Sequence, residues 1–323
     1  MNKIVPLILL CLILFSCEKA LDIELPSRKS RLVVNSYLIT DQFWDNKNQF
    51  LLLSNSISGM GTLDDFIYTD SLPLIDFGTV IINEIDKDNF IVNQFPLEFN
   101  TNCYCYTNQS FKPRENKTYE LQVEAEGFPR INSRETMPTK PVYIIEDFQL
   151  IGEIDKVEED VLCEFKINLK DTPIQKNYYR LKVSMINTFS DKSISCTYEV
   201  NDPSFLIPIN RYNSSNTFFK GRNGYFTDRL FDGEEKSLYI KVDKPEGVYD
   251  HFIIEITSYS ENLYNFNLTR QEQNGESNNF IFNSEAIFID SNIDGGYGIF
   301  GGRATSSNAY IPTYYPLGGW VEY

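Results

Sequence analysis

Cys17 closes the run Leu14-Phe15-Ser16-Cys17, where a thiol is placed for acylation. Lys3 supplies a short positive region and Ile4 to Leu14 an apolar stretch, with leucine three positions and serine one position before the cysteine. That spacing is a bacterial lipobox. Spanning a bilayer core of about 30 Å takes roughly 20 apolar residues, so residues 1–16 are read as a cleaved signal peptide, not an anchor. At about 0.8 kcal/mol per buried methylene, two or three acyl chains on the new N-terminal cysteine would hold the chain on a membrane.

Other residue patterns promise less chemistry. His251 is the one histidine; it lacks a histidine partner for a metal site, and no serine sits in the G-x-S-x-G elbow that a nucleophilic triad on this type of turn would use. Gly296-Tyr297-Gly298-Ile299-Phe300-Gly301 has the spacing of a dinucleotide-binding loop, but Pro312 and Pro316 fall within the short remainder of the chain. That leaves no room for the required βαβ unit, and the glycines are read as permitting positive φ and close strand approach. Asp86-Lys87-Asp88-Asn89 starts like a calcium loop, yet Leu97 stands where the twelfth-position carboxylate belongs, so a hairpin turn is expected. Paired carboxylates for glycoside hydrolysis are recognised by their separation in space, which a sequence does not supply. No catalytic residue, metal ligand or cofactor is assigned.

The cysteines bear on compartment. With Cys11 in the signal and Cys17 acylated, Cys103, Cys105, Cys163 and Cys196 remain in an oxidising, exported setting. A bridge such as Cys163 with Cys196 is one arrangement, and the pairing stays open. Cys103-Tyr104-Cys105 has a single intervening residue, unlike zinc-knuckle or thioredoxin-type sites. The formal net charge of −16 becomes one unit more negative once Lys3 leaves with the signal, which argues against nucleic acid or an anionic lipid surface as partner.

The elements that must position any site read as β. Residues 17–30 form a polar, lipidated tether. Leu32 to Ile39, Gln49 to Ile57 and Gly78 to Ile85 carry strand signatures, and Tyr119, Leu121 and Val123 alternate with Glu120, Gln122 and Glu124. Met137-Pro138-Thr139-Lys140-Pro141 marks a stiff boundary. Val142 to Ile151, Val161 to Leu169, Tyr178 to Ile186, Leu238 to Val242 and Phe252 to Thr257 repeat the strand pattern. One short helix is expected from Ser258, three residues before Glu261, with Tyr259, Leu263, Phe266 and Arg270 on one face. The fold class is mainly β: a β-sandwich domain at 31–141, a second β domain with the helix at 142–303, and an aromatic-rich tail at 304–323. Ser58 to Asp76 and Asn187 to Lys236 read as long, aromatic-bearing loops. Phe66 and Tyr68 in the first, with Tyr225, Phe226 and Phe231 in the second, are the partner-binding candidates.

Cys17-Glu18-Lys19, Leu21 to Pro26, Leu32-Val33-Val34-Asn35, Asn177-Tyr178-Tyr179-Arg180, Leu230-Phe231-Asp232-Gly233 and Ser291-Asn292-Ile293 through Gly301 occur in an order that resembles the Bacteroidota outer-membrane lipoproteins of domain-of-unknown-function family 4249. That resemblance implies a lipoprotein, often encoded beside a TonB-dependent receptor, and brings no catalytic residues with it. The expected function is a non-enzymatic binding or accessory subunit on the outer membrane, facing the cell surface, beside such a receptor or another β-barrel. A carbohydrate-active hydrolase with paired carboxylates and a purely structural surface lipoprotein are the alternatives.

Overall fold

The computed structural model describes residues 30–40, 50–56, 73–150, 161–173, 175–187, 192–205, 219–243, 251–276, 289–310, 313–315 and 319–321. Residues 1–29, where the signal peptide, Cys17 and most of the tether are expected, and Phe66 and Tyr68 lie outside the described residues. Among those described, no helix is long and apolar enough to cross a membrane.

The chain is mainly β. Its first part contains β1 (Leu32–Ile39), β2 (Phe50–Asn55), β3 (Thr79–Ile85), β4 (Ile91–Asn100), β5 (Cys105–Thr107), β6 (Thr118–Glu124) and β7 (Ile131–Thr136). There follow β8 (Val142–Leu150), β9 (Val161–Lys170), β10 (Tyr178–Asn187), β11 (Lys192–Ser195), β12 (Tyr198–Val200), β13 (Phe219–Gly221), β14 (Gly224–Thr227), β15 (Glu235–Asp243) and β16 (His251–Tyr259). The helix α1 (Glu261–Glu276) precedes β17 (Tyr297–Tyr310), β18 (Thr313–Tyr315) and β19 (Gly319–Val321). One large sheet runs β11-β10-β16-β17-β1-β2-β5-β4-β3-β6-β7, with β14 also on β10; a second runs β13-β12-β15-β9-β8.

Alternation explains which face each strand buries. In β1, Leu32, Val34 and Leu38 are fully buried while their neighbours are half-exposed, and each such side chain contributes roughly 1.5–3 kcal/mol by leaving water. These residues join Leu51, Leu53, Ile82, Leu121 and Phe300 in a first core. A bridge from Asn132 of β7 to Asp294 brings that end of the sheet back towards β17. A second core lies between the two sheets, where Leu181, Val183, Ile254 and Ile256 meet Phe165, Ile167 and Ile240.

From Arg31 onwards the chain is one compact unit: it passes from the large sheet at β7 to the second sheet at β8 across residue 141, but β10, β14, β16 and β17 return to the large sheet. β17 is the reason. It pairs in parallel with β1 from Tyr297 to Arg303 and antiparallel with β16 from Arg303 to Tyr310. So Ile293 and Phe300 belong to the first core, and Ala304–Tyr310 are strand where a tail is expected. The segment before β8 is sewn to the same strand: Ser306 Oγ donates to the Pro141 carbonyl at 2.5 Å, while the Tyr143 hydroxyl donates to Ile254 O and accepts from Asn308 N.

Three further readings change. The expected loop at 187–236 contains β11 to β14, because Tyr198, Val200, Phe219 and Phe226 all reach the second core. The bonded cysteines are Cys103 and Cys105; Cys163 and Cys196 are buried free thiols in the second core. β16 runs through Ser258 to Tyr259, so the helix is preceded by Ser260, whose carbonyl accepts from Tyr264 N at 2.9 Å. The Asp86 turn is a hairpin turn, its carboxylate taking the Asp88 and Phe90 amides, each at 2.9 Å.

Glycine decides whether β17 can sit where it does. At Gly298 φ is +102° and a Cβ would stand 1.9 Å from the Val34 carbonyl oxygen of β1. Gly298→Ala is therefore expected to cost roughly 4 kcal/mol or more, or to prevent folding. Gly127→Ala, at φ +82° with nothing within 4 Å, should cost only about 1–2 kcal/mol. Chemical denaturation of the two variants checks the contrast; equal losses would show that the β1–β17 contact tolerates a side chain.

Candidate functional site

Along β17 Phe300 and Gly302 face the first core and Ser306 and Asn308 bond Pro141 and Tyr143, while the odd positions turn to the opposite face. There α1 covers the sheet: a Cβ at Gly301 would lie 2.6 Å from Leu263 Cβ, so the missing side chain is what seats the helix. Leu263, Tyr264, Phe266, Tyr259 and Ile299 form a third apolar cluster.

Beside α1 the same face gathers arginine and tyrosine from five adjoining strands. The pairing rows are Tyr225–Arg180–Thr257–Thr305 and Tyr178–Tyr259–Arg303, with Tyr37 of β1 opposite Gly301. Directly paired residues point to one side of a sheet, so both guanidiniums project from this face. The Arg180 guanidinium carbon lies 5.7 Å from the centre of the Tyr259 ring, and the Tyr259 hydroxyl is drawn to Arg303. The rings of Tyr225 and Tyr178 stand 5.7 and 5.0 Å from that of Tyr264. Thr257 and Thr305 share a hydroxyl hydrogen bond of 3.0 Å.

The electrostatics of this face are unusual for an acidic chain. Among the described residues no carboxylate forms an ion pair with Arg180 or Arg303. The nearby acids are engaged: Glu255 holds Lys182 at 3.4 Å, and Glu261 accepts from the Tyr178 hydroxyl at 2.6 Å. Arg180 Nε, Arg303 Nε and the Tyr264 hydroxyl are buried without a hydrogen-bond partner among the described residues. Burial pushes the Tyr259 phenol up to about 12 against the pull of Arg180, and raises Tyr264 and Tyr178 as well. All three keep their protons at neutral pH and stay donors.

Of the expected contact residues, Tyr225 lies in this face, half-buried. Phe226 does not. It is fully buried, stacked on Phe205 at 4.6 Å and Tyr179 at 5.1 Å, because strand alternation sends it to the second core. Phe231 is also core, 4% exposed, beneath Lys236. Neither offers a surface to a partner. Arg180, Tyr259, Tyr264 and Arg303 were not singled out as contact residues; the signal available was Tyr178-Tyr179-Arg180, an aromatic-basic triplet in a strand otherwise apolar on one face.

A second polar group lies at the end of β10. Asp171, Asp228 and Asp232 bring carboxylate oxygens within 4.8 Å of one another. Asp171 accepts from Tyr179 OH at 2.6 Å, Gly233 N at 2.8 Å and Asn177 Nδ2 at 3.1 Å, and Asp228 accepts from Asn177 N at 2.7 Å. These bonds hold the turn that starts β10. Burial, with the Asp171 and Asp232 charges, raises the Asp228 carboxyl.

Glu135 of β7 is the acid most displaced from ordinary behaviour. Only 6% exposed, it bonds Ser260, accepts from Asn262 Nδ2 at 3.2 Å and from Thr136 N at 3.0 Å, and so ties the first core to the start of α1. Burial pushes it up to about 7. A raised carboxyl binds its proton more tightly folded than unfolded, so its contribution is full below about pH 4.5 and is lost as pH rises through about 7. Glu135→Gln should therefore gain on the natural protein by on the order of 3 kcal/mol between pH 4.5 and pH 8, read by urea denaturation at both values. A difference that does not change with pH would contradict the assignment.

The match to known proteins is by family. Domain of unknown function (DUF4249) covers residues 18–309. No curated protein matches the chain. Trypsin-activated alpha-2-macroglobulin from Escherichia coli is similar at 9% identity and a TM-score of 0.18; the alignment covers 73% of this chain but 15% of that one. A chain from the structure of manganese lipoxygenase of Gaeumannomyces graminis with partial zonadhesin of Komagataella pastoris is similar at 10% identity and a TM-score of 0.17, covering 71% of this chain and 88% of that one. Likenesses at these scores have no bearing on function. The family match runs over nearly the whole chain and through nearly all of β17, and the chain belongs to the DUF4249 family.

Proposed function

We propose that this chain is a non-enzymatic binding or accessory subunit of the envelope of a Bacteroidota cell, held on the outer membrane by acyl chains on Cys17. It works beside a TonB-dependent receptor or another outer-membrane β-barrel, in nutrient capture or envelope assembly, and faces the cell surface. The observation that supports a binding role is the arginine–tyrosine face. It is built on paired strands and has buried donors without partners, an arrangement that costs stability unless something outside the fold uses it. A rigid sheet that presents guanidinium and phenol groups meets the requirements of a recognition surface, because little side-chain freedom is lost on contact.

Affinity purification of the tagged full chain from native outer membranes in mild detergent tests this reading. A stoichiometric β-barrel partner is expected with the natural protein, at least tenfold less partner with Arg180→Ala plus Tyr225→Ala, and release from the membrane fraction with Cys17→Ala. A chain that purifies alone at every expression level would refute the accessory role. Retention of Cys17→Ala on the membrane would refute the acyl anchor.

A further inference from the structure

Two guanidiniums and a phenol with buried, unused N–H and O–H groups define a ligand by its chemistry. Arg180 and Arg303 stand on strands two apart, about 10 Å between strand axes, on either side of Tyr259. Their side chains lean towards that ring, Arg180 over its face and Arg303 at its hydroxyl. In the described fold both meet aromatic rings and hydroxyls; Arg180 also feels the Glu255 charge, but that carboxylate is ion-paired with Lys182. Rings and phenols satisfy part of a guanidinium and none of its charge. Two like charges held near one aromatic, partly out of water, repel each other, and among the described residues neither has a carboxylate in ion-pair contact, the partner that normally accompanies buried arginine. The group complementary to both is a planar or tetrahedral oxyanion, which accepts several N–H and O–H bonds at once.

We propose that this face is the binding site for an organic oxyanion, a carboxylate, sulfate ester or phosphate ester, held by Arg180, Arg303 and the hydroxyl of Tyr264 and flanked by the rings of Tyr225 and Tyr259. The inference rests on the reading of this face as a recognition surface and names the class of ligand it takes. The raised phenols fit the role: burial keeps Tyr259 and Tyr264 protonated, and a protonated phenol donates to an anion where a phenolate would repel it. Arg270, exposed on α1 and packed over Phe266 at 5.9 Å, adds positive potential at the rim and bears on Tyr225. The acids on the same face, Glu255 and Glu261, are held by Lys182 and Tyr178.

The test uses the full chain in detergent with four probes on one scaffold: D-glucuronate, D-glucose 6-sulfate, D-glucose 6-phosphate and uncharged D-glucose. Affinities are measured by saturation-transfer NMR at constant ionic strength. At least one charged probe should bind tenfold or more tighter than glucose, and the tightest of the three identifies the oxyanion. Added sodium chloride should weaken it. Arg180→Gln and Arg303→Gln should each lose at least tenfold. Tyr264→Phe, which removes only the unpartnered hydroxyl and keeps the ring, should lose several-fold with unchanged thermal stability, so the inference stays testable if an arginine variant fails to fold. Equal binding of charged and uncharged probes, no binding by any probe, or charged binding unaffected by all three variants would overturn the oxyanion site. If the β-barrel partner is still lost with Arg180→Ala plus Tyr225→Ala in any of those cases, the recognition surface stands and only its ligand class falls.

Discussion

The parallel pairing of β17 with β1 is the contact on which the rest depends. It joins residues some 260 positions apart in sequence, Val34 with Gly298 and Ser36 with Phe300. Closing so long a loop costs chain entropy before any contact offsets it, and the far half of β17 then completes the sheet on β16. Remove that register and the first core loses Phe300 and Ile293, the second core loses the hydrogen bonds from β17 to Pro141 and Tyr143, and α1 loses the shelf at Gly301 on which Leu263 rests. One strand therefore sets the position of both cores and of the helix.

The same strand couples the fold to the candidate site through the two-residue period of the pleat. Phe300, Gly302 and Ala304 point into apolar packing; Ile299, Gly301, Arg303 and Thr305 point the other way. A slip of one residue would bury Arg303 in the core and expose Phe300. Register is thus specified from both sides, by the apolar set that must be covered and by the arginine that cannot be. The face opposite a well-packed core is where a β protein can carry polar groups at fixed separations, because the backbone beneath them is held by the ladder and by the packing behind it.

Legibility in sequence followed locality. β1, β2, β3, β6, β8, β9, β10, β15 and β16 were readable because runs of β-branched, leucine and aromatic residues, with apolar–polar alternation in β6 and β10, lie within each segment. β4 was not: Ile91 to Gln94 are exposed on both faces and Pro96 interrupts the run, so the pattern lacks a period. β17 was hidden for another reason. Its glycines look like turn residues, and nothing near them in sequence shows that Val34 is the neighbour requiring their absent side chains. The short strands β11 to β14 were obscured by the serines, asparagines and glycines around them, and only burial against the second core distinguishes them from a loop. The helix was placed in the right region but begun at Ser258, because the strand before it runs on to Tyr259 and takes that serine into the sheet.

The candidate site shows the limit of composition as a guide to surface. Tyr225, Phe226 and Phe231 looked equivalent in sequence as aromatics between turn residues. The pleat separates Tyr225 from Phe226 by a single step, one to the arginine face, where its phenol bonds Arg180, and one to the core, where the ring is enclosed by Phe205 and Tyr179. Arg180 and Arg303 follow the same logic in reverse. A guanidinium has no neutral form near physiological pH, so in a chain of net charge −16 it would most easily find a carboxylate. Here the nearby carboxylates are held by Lys182 and Tyr178, and the two arginines meet aromatic rings and hydroxyls. That arrangement is poor for stability by itself and good for capture, since an incoming anion meets donors already desolvated and already in place.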